Sequence, residues 1–197
     1  MSEWWTYRPS DFMMFSPRAY WRLVEQYNGD LWPAQLVGMA AGLVLLWLAA
    51  VPRSVASRIV AASLALAWLW VGWAFHWQRY ATINWAAEYF AVVFWVQAML
   101  LVILGVFQRD GQLQPSAGVP NLGWTLAVCG VVLYPLAGLA AGRPWSQAEV
   151  FGVMPEPTAL ASLGLLLSGG QPYAKALSIL PALSFLVGMT TLWILSG

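Results

Sequence analysis

Apolar residues run along most of this chain without the alternation of a half-buried strand or the one-sided stripe of a soluble helix. Six long stretches carry no Asp, Glu, Lys or Arg: 31–52, 59–78, 89–108, 111–142, 157–174 and 176–197. A membrane-spanning helix needs about 20 apolar residues, because the hydrocarbon core is ~30 Å thick and a helix rises ~1.5 Å per residue. The pattern predicts helices at 33–51, 59–77, 88–107, 121–141, 157–169 and 176–195. Leu, Ala, Val and Trp fill them on all sides, as lipid-facing helices allow. Pro33 opens the first helix and Pro52 stops it. Pro120-Asn121 opens the fourth, and Gly142 closes it. The expected fold is an all-α polytopic bundle of about six transmembrane helices. The fifth stands apart. It follows Pro155-Glu156-Pro157 and runs into Ser168-Gly169-Gly170, so it reads either as a short, broken span or as a re-entrant half-helix.

The residues ahead of the first span follow a different pattern. Ser16-Pro17 reads as the N-cap and first position of a helix ending near Gly29. Tyr20, Leu23, Val24 and Tyr27 fall on one face, and Arg18, Arg22, Glu25 and Gln26 mainly on the other. That is an amphipathic helix suited to the membrane interface. Residues 1–32 are expected to form an interfacial segment and 33–197 the transmembrane domain.

Composition narrows the function. Sixty per cent of the residues are hydrophobic and 9% charged, against roughly 25% charged in a soluble domain, so a soluble enzyme is excluded. A net charge of +1 offers no footprint for nucleic acid. A single cysteine, Cys129, excludes an internal disulfide and a cysteine-built metal site. His76 is the lone histidine and lacks ligand-spaced partners, so no cofactor or metal is expected. No G-x-S-x-G, H-E-x-x-H or Walker loop occurs, and the chain reads as non-enzymatic. Near the helix ends, Arg18, Arg22, Arg79 and Arg143 lie on the N-terminal side, and Arg53, Arg58, Arg109 and Lys175 on the other. That balance leaves the orientation open under the positive-inside rule.

The N-terminal side carries the unusual chemistry. If the second span continues past the interface, Trp73, His76, Trp77, Tyr80 and Asn84 share one stripe. Arg79 and Glu88 are close enough in sequence to pair. The next loop on this side brings Arg143, Glu149 and Glu156, and Thr158 could cap a half-helix. His76, Arg79, Tyr80, Asn84, Glu88, Arg143, Glu149, Glu156 and Thr158 are therefore the candidate binding residues. Polar groups beside lipid are costly unless they pair or bind something. One reading is an aromatic belt with rim salt bridges, and the other is a site for a small solute or ion. Gly38-x-x-x-Gly42 and Gly138-x-x-x-Gly142 suggest close helix approach. Tyr134-Pro135 should kink its helix, and Gln97 should hydrogen-bond a neighbour. Trp68, Trp70 and Trp73 could stack on a ring, with packing as the simpler role.

Several short motifs carry a resemblance: Ser10 to Pro17 with Tyr20-Trp21, Asn28 to Pro33, Phe75-His76-Trp77 to Asn84-Trp85-Ala86, and Val150-Phe151-Gly152 to Pro157-Thr158-Ala159-Leu160. Together they resemble a bacterial family of multi-pass membrane proteins classed as a domain of unknown function. The resemblance covers nearly the whole chain and implies a helical protein of the bacterial inner membrane, with no activity or site residues to carry over. The expected partners are the lipid bilayer and a small solute or ion. The alternative is a non-catalytic subunit packed in a larger membrane complex or a homo-oligomer. Purified protein is expected to show no Soret band and no stoichiometric iron, copper or zinc; a metal lost on His76→Ala would contradict this.

Overall fold

The computed structural model describes residues 13–50, 54–107, 120–168 and 173–196. Every regular element among them is helical. α1 spans Pro17–Asp30 and α2 Ala34–Ala49. α3, Ser54–Trp70, runs on as a π-helical stretch Val71–Trp77, and a short 3₁₀ turn follows at Tyr80–Thr82. α4, Ala87–Leu100, also ends in π-helical turns, Leu101–Val106. α5, Pro120–Val128, passes through a π segment, Cys129–Leu133, into α6, Tyr134–Ala140. α7 is Pro155–Ser168, α8 is Ala174–Leu177 and α9 is Ile179–Ser196.

The all-α expectation holds, and the span count changes. Among the described residues four helices are long and apolar enough to cross a membrane: Val55–Thr82, Ala87–Val106, Asn121–Ala140 and Ala174–Ser196. α1 and α2 make a fifth candidate as one pair bent by 85°. The sequence allowed five or six spans, and the count falls to five at most: α7, the doubtful fifth segment, has 14 residues, and α2, with 16, reaches span length only together with α1. At ~1.5 Å per residue α7 is ~21 Å long, well short of the ~30 Å hydrocarbon core. α7 is also enclosed by protein. Pro155 through Ser162 are all buried, as are Gly164, Leu165 and Leu166. A helix apolar on every side and covered on every side is the centre of a bundle.

Small residues make that possible. A methyl group on Gly164 would overlap the Ala127 backbone and stand 2.6 Å from the Gly123 carbonyl oxygen. One on Gly130 would overlap the Ala161 amide, and one on Gly123 would stand 2.7 Å from the Ser168 nitrogen. α7 thus lies backbone against backbone on α5 and its π segment. Close approach of this kind drives helix association where lipid removes the hydrophobic drive between helices. The glycine pairs singled out in the sequence behave differently. Gly38 and Gly42 receive Phe151, with Val131 also against Gly42, so they pack partly on a turn. Gly138 abuts the Arg143 guanidinium, and Gly142 is a helix stop with φ +78°. The Pro135 strain is met by the π segment just before it, where the carbonyl facing the proline ring lies.

Two polar side chains lock the core. The Trp68 indole N–H donates to Ser162 Oγ at 2.8 Å while its ring lies 4.2 Å from that of Phe94. Gln97 donates to the Leu177 carbonyl at 2.9 Å, as its place in a span suggested. Trp68 is therefore a packing residue, and Trp70 and Trp73 are exposed. α1 begins as expected, with Ser16 Oγ accepting the Ala19 N–H at 3.2 Å. Its apolar face rests on protein: Tyr20, Leu23, Val24 and Tyr27 are buried, and the Tyr27 hydroxyl donates to the Val153 carbonyl at 3.1 Å.

The glycine contacts generate a direct test. Overpacking a tight interior typically costs ~1–3 kcal/mol. Gly164→Ala should therefore lower the unfolding temperature in detergent. Gly29→Ala, where a methyl would meet nothing within 4 Å, should leave it unchanged or raise it. Equal melting of both variants would contradict backbone contact between α5 and α7.

Candidate functional site

The π-helical end of α3 turns His76 inward. The expected stripe splits there: Trp73 and Trp77 are exposed, while His76, Tyr80 and Asn84 are buried. A π turn adds one residue per hydrogen-bonded loop, so side chains beyond Trp70 leave the 3.6-residue register that the stripe assumed. Phe75 and His76 both face the bundle. The His76 ring lies 4.6 Å from Phe94 and 5.8 Å from Phe90 on α4. Tyr80 stacks on Phe75 at 5.6 Å and meets Tyr20 of α1 edge-on at 5.9 Å.

These rings wall an apolar cavity of about 220 Å³. The first turn of α7 contributes Pro155 and Glu156, and α9 closes the far wall with Leu183, Ser184, Val187 and Gly188 among others. Glu156 sits tightly against α9. A methyl on Gly188 would lie 2.6 Å from its Oε1. Glu156 Oε2 is buried without a hydrogen-bond partner, and so are both nitrogens of His76. His76 is 5% exposed and Glu156 6%. Buried polar groups are almost always hydrogen-bonded; His76 and Glu156 depart from that on one cavity, and Gln35, Gln97 and Glu149 each keep one unsatisfied oxygen elsewhere in the bundle.

The other candidate residues serve the walls. Glu149, its side chain 1% exposed, pairs with Arg143 at 2.8 Å. Burial drives the Glu149 carboxyl up from its ordinary value, and the Arg143 guanidinium opposes this. Arg143 also lies 4.2 Å over the Trp21 ring, so this one cation ties α1 to the loop before α7. Asn28 strengthens the same junction by donating to the Ser146 and Ala148 carbonyls, both at 2.9 Å. Thr158 does not cap the helix. Its hydroxyl accepts the Gly152 N–H at 2.8 Å and donates to the Met154 carbonyl at 2.6 Å, fixing the turn that precedes Pro155. Asn84 Oδ1 accepts the Ala86 N–H at 3.0 Å where α4 begins.

The expected Arg79–Glu88 pair is corrected. Arg79 bonds Asp30 of α1 at 2.6 Å, and Glu88 is exposed on the first turn of α4. The turn at 78–86 directs Arg79 towards α1 and away from α4. His76, Tyr80 and Glu156 are thus brought together, Arg143 with Glu149 lies behind them, and Arg79, Asn84, Glu88 and Thr158 lie outside the cavity. Tyr20, Phe75, Phe90 and Phe94 line the cavity and were not among the candidate binding residues, because in the sequence they resemble ordinary core aromatics.

Fold and site together define an all-α bundle with membrane-length apolar helices and a half-open, aromatic-walled cavity. The chain belongs to the family of unknown function DUF6064, whose model matches residues 17–196. No curated protein and no solved structure matches it.

The ion pairs predict unequal mutants. The Arg79–Asp30 pair is exposed, at 39% and 57%, and such pairs contribute ~0–1 kcal/mol. Arg79→Ala should barely move the melting temperature. Removing one partner of a buried pair typically costs ~3–5 kcal/mol, while replacing both by apolar residues is often neutral. Arg143→Ala should therefore destabilise strongly, and Arg143→Met combined with Glu149→Leu should recover most of the loss.

Proposed function

We propose that this chain is a multi-pass protein of the bacterial inner membrane that binds a small solute in the cavity between His76 and Glu156. The observation that carries the reading is the pair of buried, unsatisfied polar side chains on one apolar cavity. A binding site of this kind has an apolar lining with a few convergent polar groups. Trp68, Thr158 and Ser162 in the same bundle have hydrogen-bond partners, and Gln97 and Glu149 are each bonded through one of their two polar atoms, whereas neither His76 nitrogen has a partner. The site lies on the side of the N-terminus, where the second and third spans turn, and α1 roofs it with Tyr20. Transport fits this placement, because α7 is a short helix that starts inside the protein. Such discontinuous helices form substrate sites in secondary transporters. The chain's part is recognition or passage of the solute; no catalytic step is assigned to it.

The test separates function from stability. An unpaired buried polar group typically costs ~1–3 kcal/mol, and 1 kcal/mol shifts the melting of a 150–250-residue protein by roughly 2–4 °C. If the cavity is a site, His76→Phe with Glu156→Leu should melt several degrees higher than the native protein. The same variant should lose the small molecules that co-purify from the native membrane, read by mass spectrometry. A variant that melts lower and retains those molecules would overturn the proposal.

A further inference from the structure

The charges around the cavity identify the kind of solute, given that the cavity is a solute site. Glu156 has no cation partner among the described residues. Arg143 is close enough to act on it electrostatically, but that guanidinium is committed to Glu149 at 2.8 Å and to the Trp21 ring. His76 does not replace it, since neither of its nitrogens makes a hydrogen bond. The α7 N-terminus favours a negative charge at Glu156 yet leaves Oε2 without a partner. Glu156 is therefore left without a counter-charge beside an apolar space: burial, and next Glu149, raise its carboxyl well above the ordinary value, and a cation placed against it would favour the ionised form.

The walls say which cation fits. Ca²⁺ and Mg²⁺ require about six or more oxygen ligands and Zn²⁺ about four ligands, whereas among the described residues no three His, Cys, Asp or Glu side chains come together. An anion would meet Glu156. A purely apolar molecule would leave Glu156 and His76 unsatisfied. Aromatic faces attract ammonium groups, and a cage of rings beside a carboxylate is a recognised way to hold a substituted ammonium. Tyr20, Tyr80, Phe75, Phe90 and Phe94 supply the rings. The volume agrees: a cavity of ~150 Å³ holds benzene, and about 220 Å³ leaves room for an ammonium head on a ring-sized body.

We infer that the cavity binds an organic ammonium ion, its charge against Glu156, its adjoining hydrocarbon within the aromatic cage, and a hydrogen bond to His76 where it carries an N–H. The ammonium belongs to a free amine or to an ethanolamine lipid headgroup.

Calorimetry on the purified protein in detergent tests this with three probes: 2-phenylethylammonium, benzyltrimethylammonium and the neutral 2-phenylethanol. Both cations should bind at least tenfold more tightly than the alcohol. Glu156→Gln should remove that preference. Gly188→Ala should weaken cation binding without changing any charge, because its methyl would displace the Glu156 carboxyl. Alcohol binding as tight as cation binding, or a cation preference that survives Glu156→Gln, would overturn ammonium recognition and leave the solute site standing. No binding of any probe would overturn both. Competition by nanodiscs of phosphatidylethanolamine, but not phosphatidylglycerol, assigns the ammonium to a lipid headgroup; its absence assigns it to a free solute.

Discussion

Backbone meets backbone where α7 crosses α5, with Gly123, Gly130 and Gly164 at the points of contact. No side chain larger than hydrogen fits there, and the rest of the fold follows from that closeness. α7 is too short to span a bilayer and too apolar to sit in water. It persists because protein covers it on nearly every side. A lipid-exposed helix start would leave N–H groups unsatisfied in hydrocarbon, at several kcal/mol for each group. A helix start sealed inside a bundle can be used instead, and here it carries Glu156 to the edge of a cavity. Gly188 on α9 completes the fit by leaving space for the carboxyl. The same physical device, a missing side chain, thus places the helix and seats its acidic residue.

Satisfaction of polar groups then divides the site into frame and centre. The frame is largely paired, with one Glu149 oxygen left over. Arg143 and Glu149 neutralise one another, Asn28 donates to two loop carbonyls, and Thr158 closes the turn ahead of Pro155. The centre is different, with His76 and Glu156 buried and each retaining unsatisfied atoms. Since an unsatisfied polar group works against stability, a fold that keeps two of them on one cavity has accepted a cost that binding can offset. Stability and function commonly trade in this way at sites.

Much of the helical frame was legible in the sequence, because charge-free stretches and proline or glycine punctuation report helices in lipid directly. The Ser16-Pro17 cap, the helix it opens and the inter-helix bond of Gln97 were legible for similar local reasons. The span count was not. The stretch after Pro157 reads from the sequence as either a short, broken span or a half-helix, and its length and burial show it to be an enclosed helix. Partners of charges were legible only within a loop. Arg143 and Glu149 are six residues apart and pair, whereas Arg79 pairs with Asp30 across 49 residues, which no local spacing reveals. The π turns at the end of α3 escaped detection too. They split the stripe of Trp73, His76, Trp77 and Tyr80 and so decide that His76 faces inward. His76, Tyr80 and Glu156 were recognisable as chemistry, but the cage of Tyr20, Phe75, Phe90 and Phe94 required three helices to be assembled first.

The most direct measurement is a cryo-electron-microscopy map of the protein isolated from its native membrane, at a resolution that shows side chains between α3, α7 and α9. The account predicts non-protein density filling the cavity, in contact with the Glu156 carboxyl and the His76 ring. A cavity closed by a direct His76–Glu156 hydrogen bond, with no room for a solute, would contradict it.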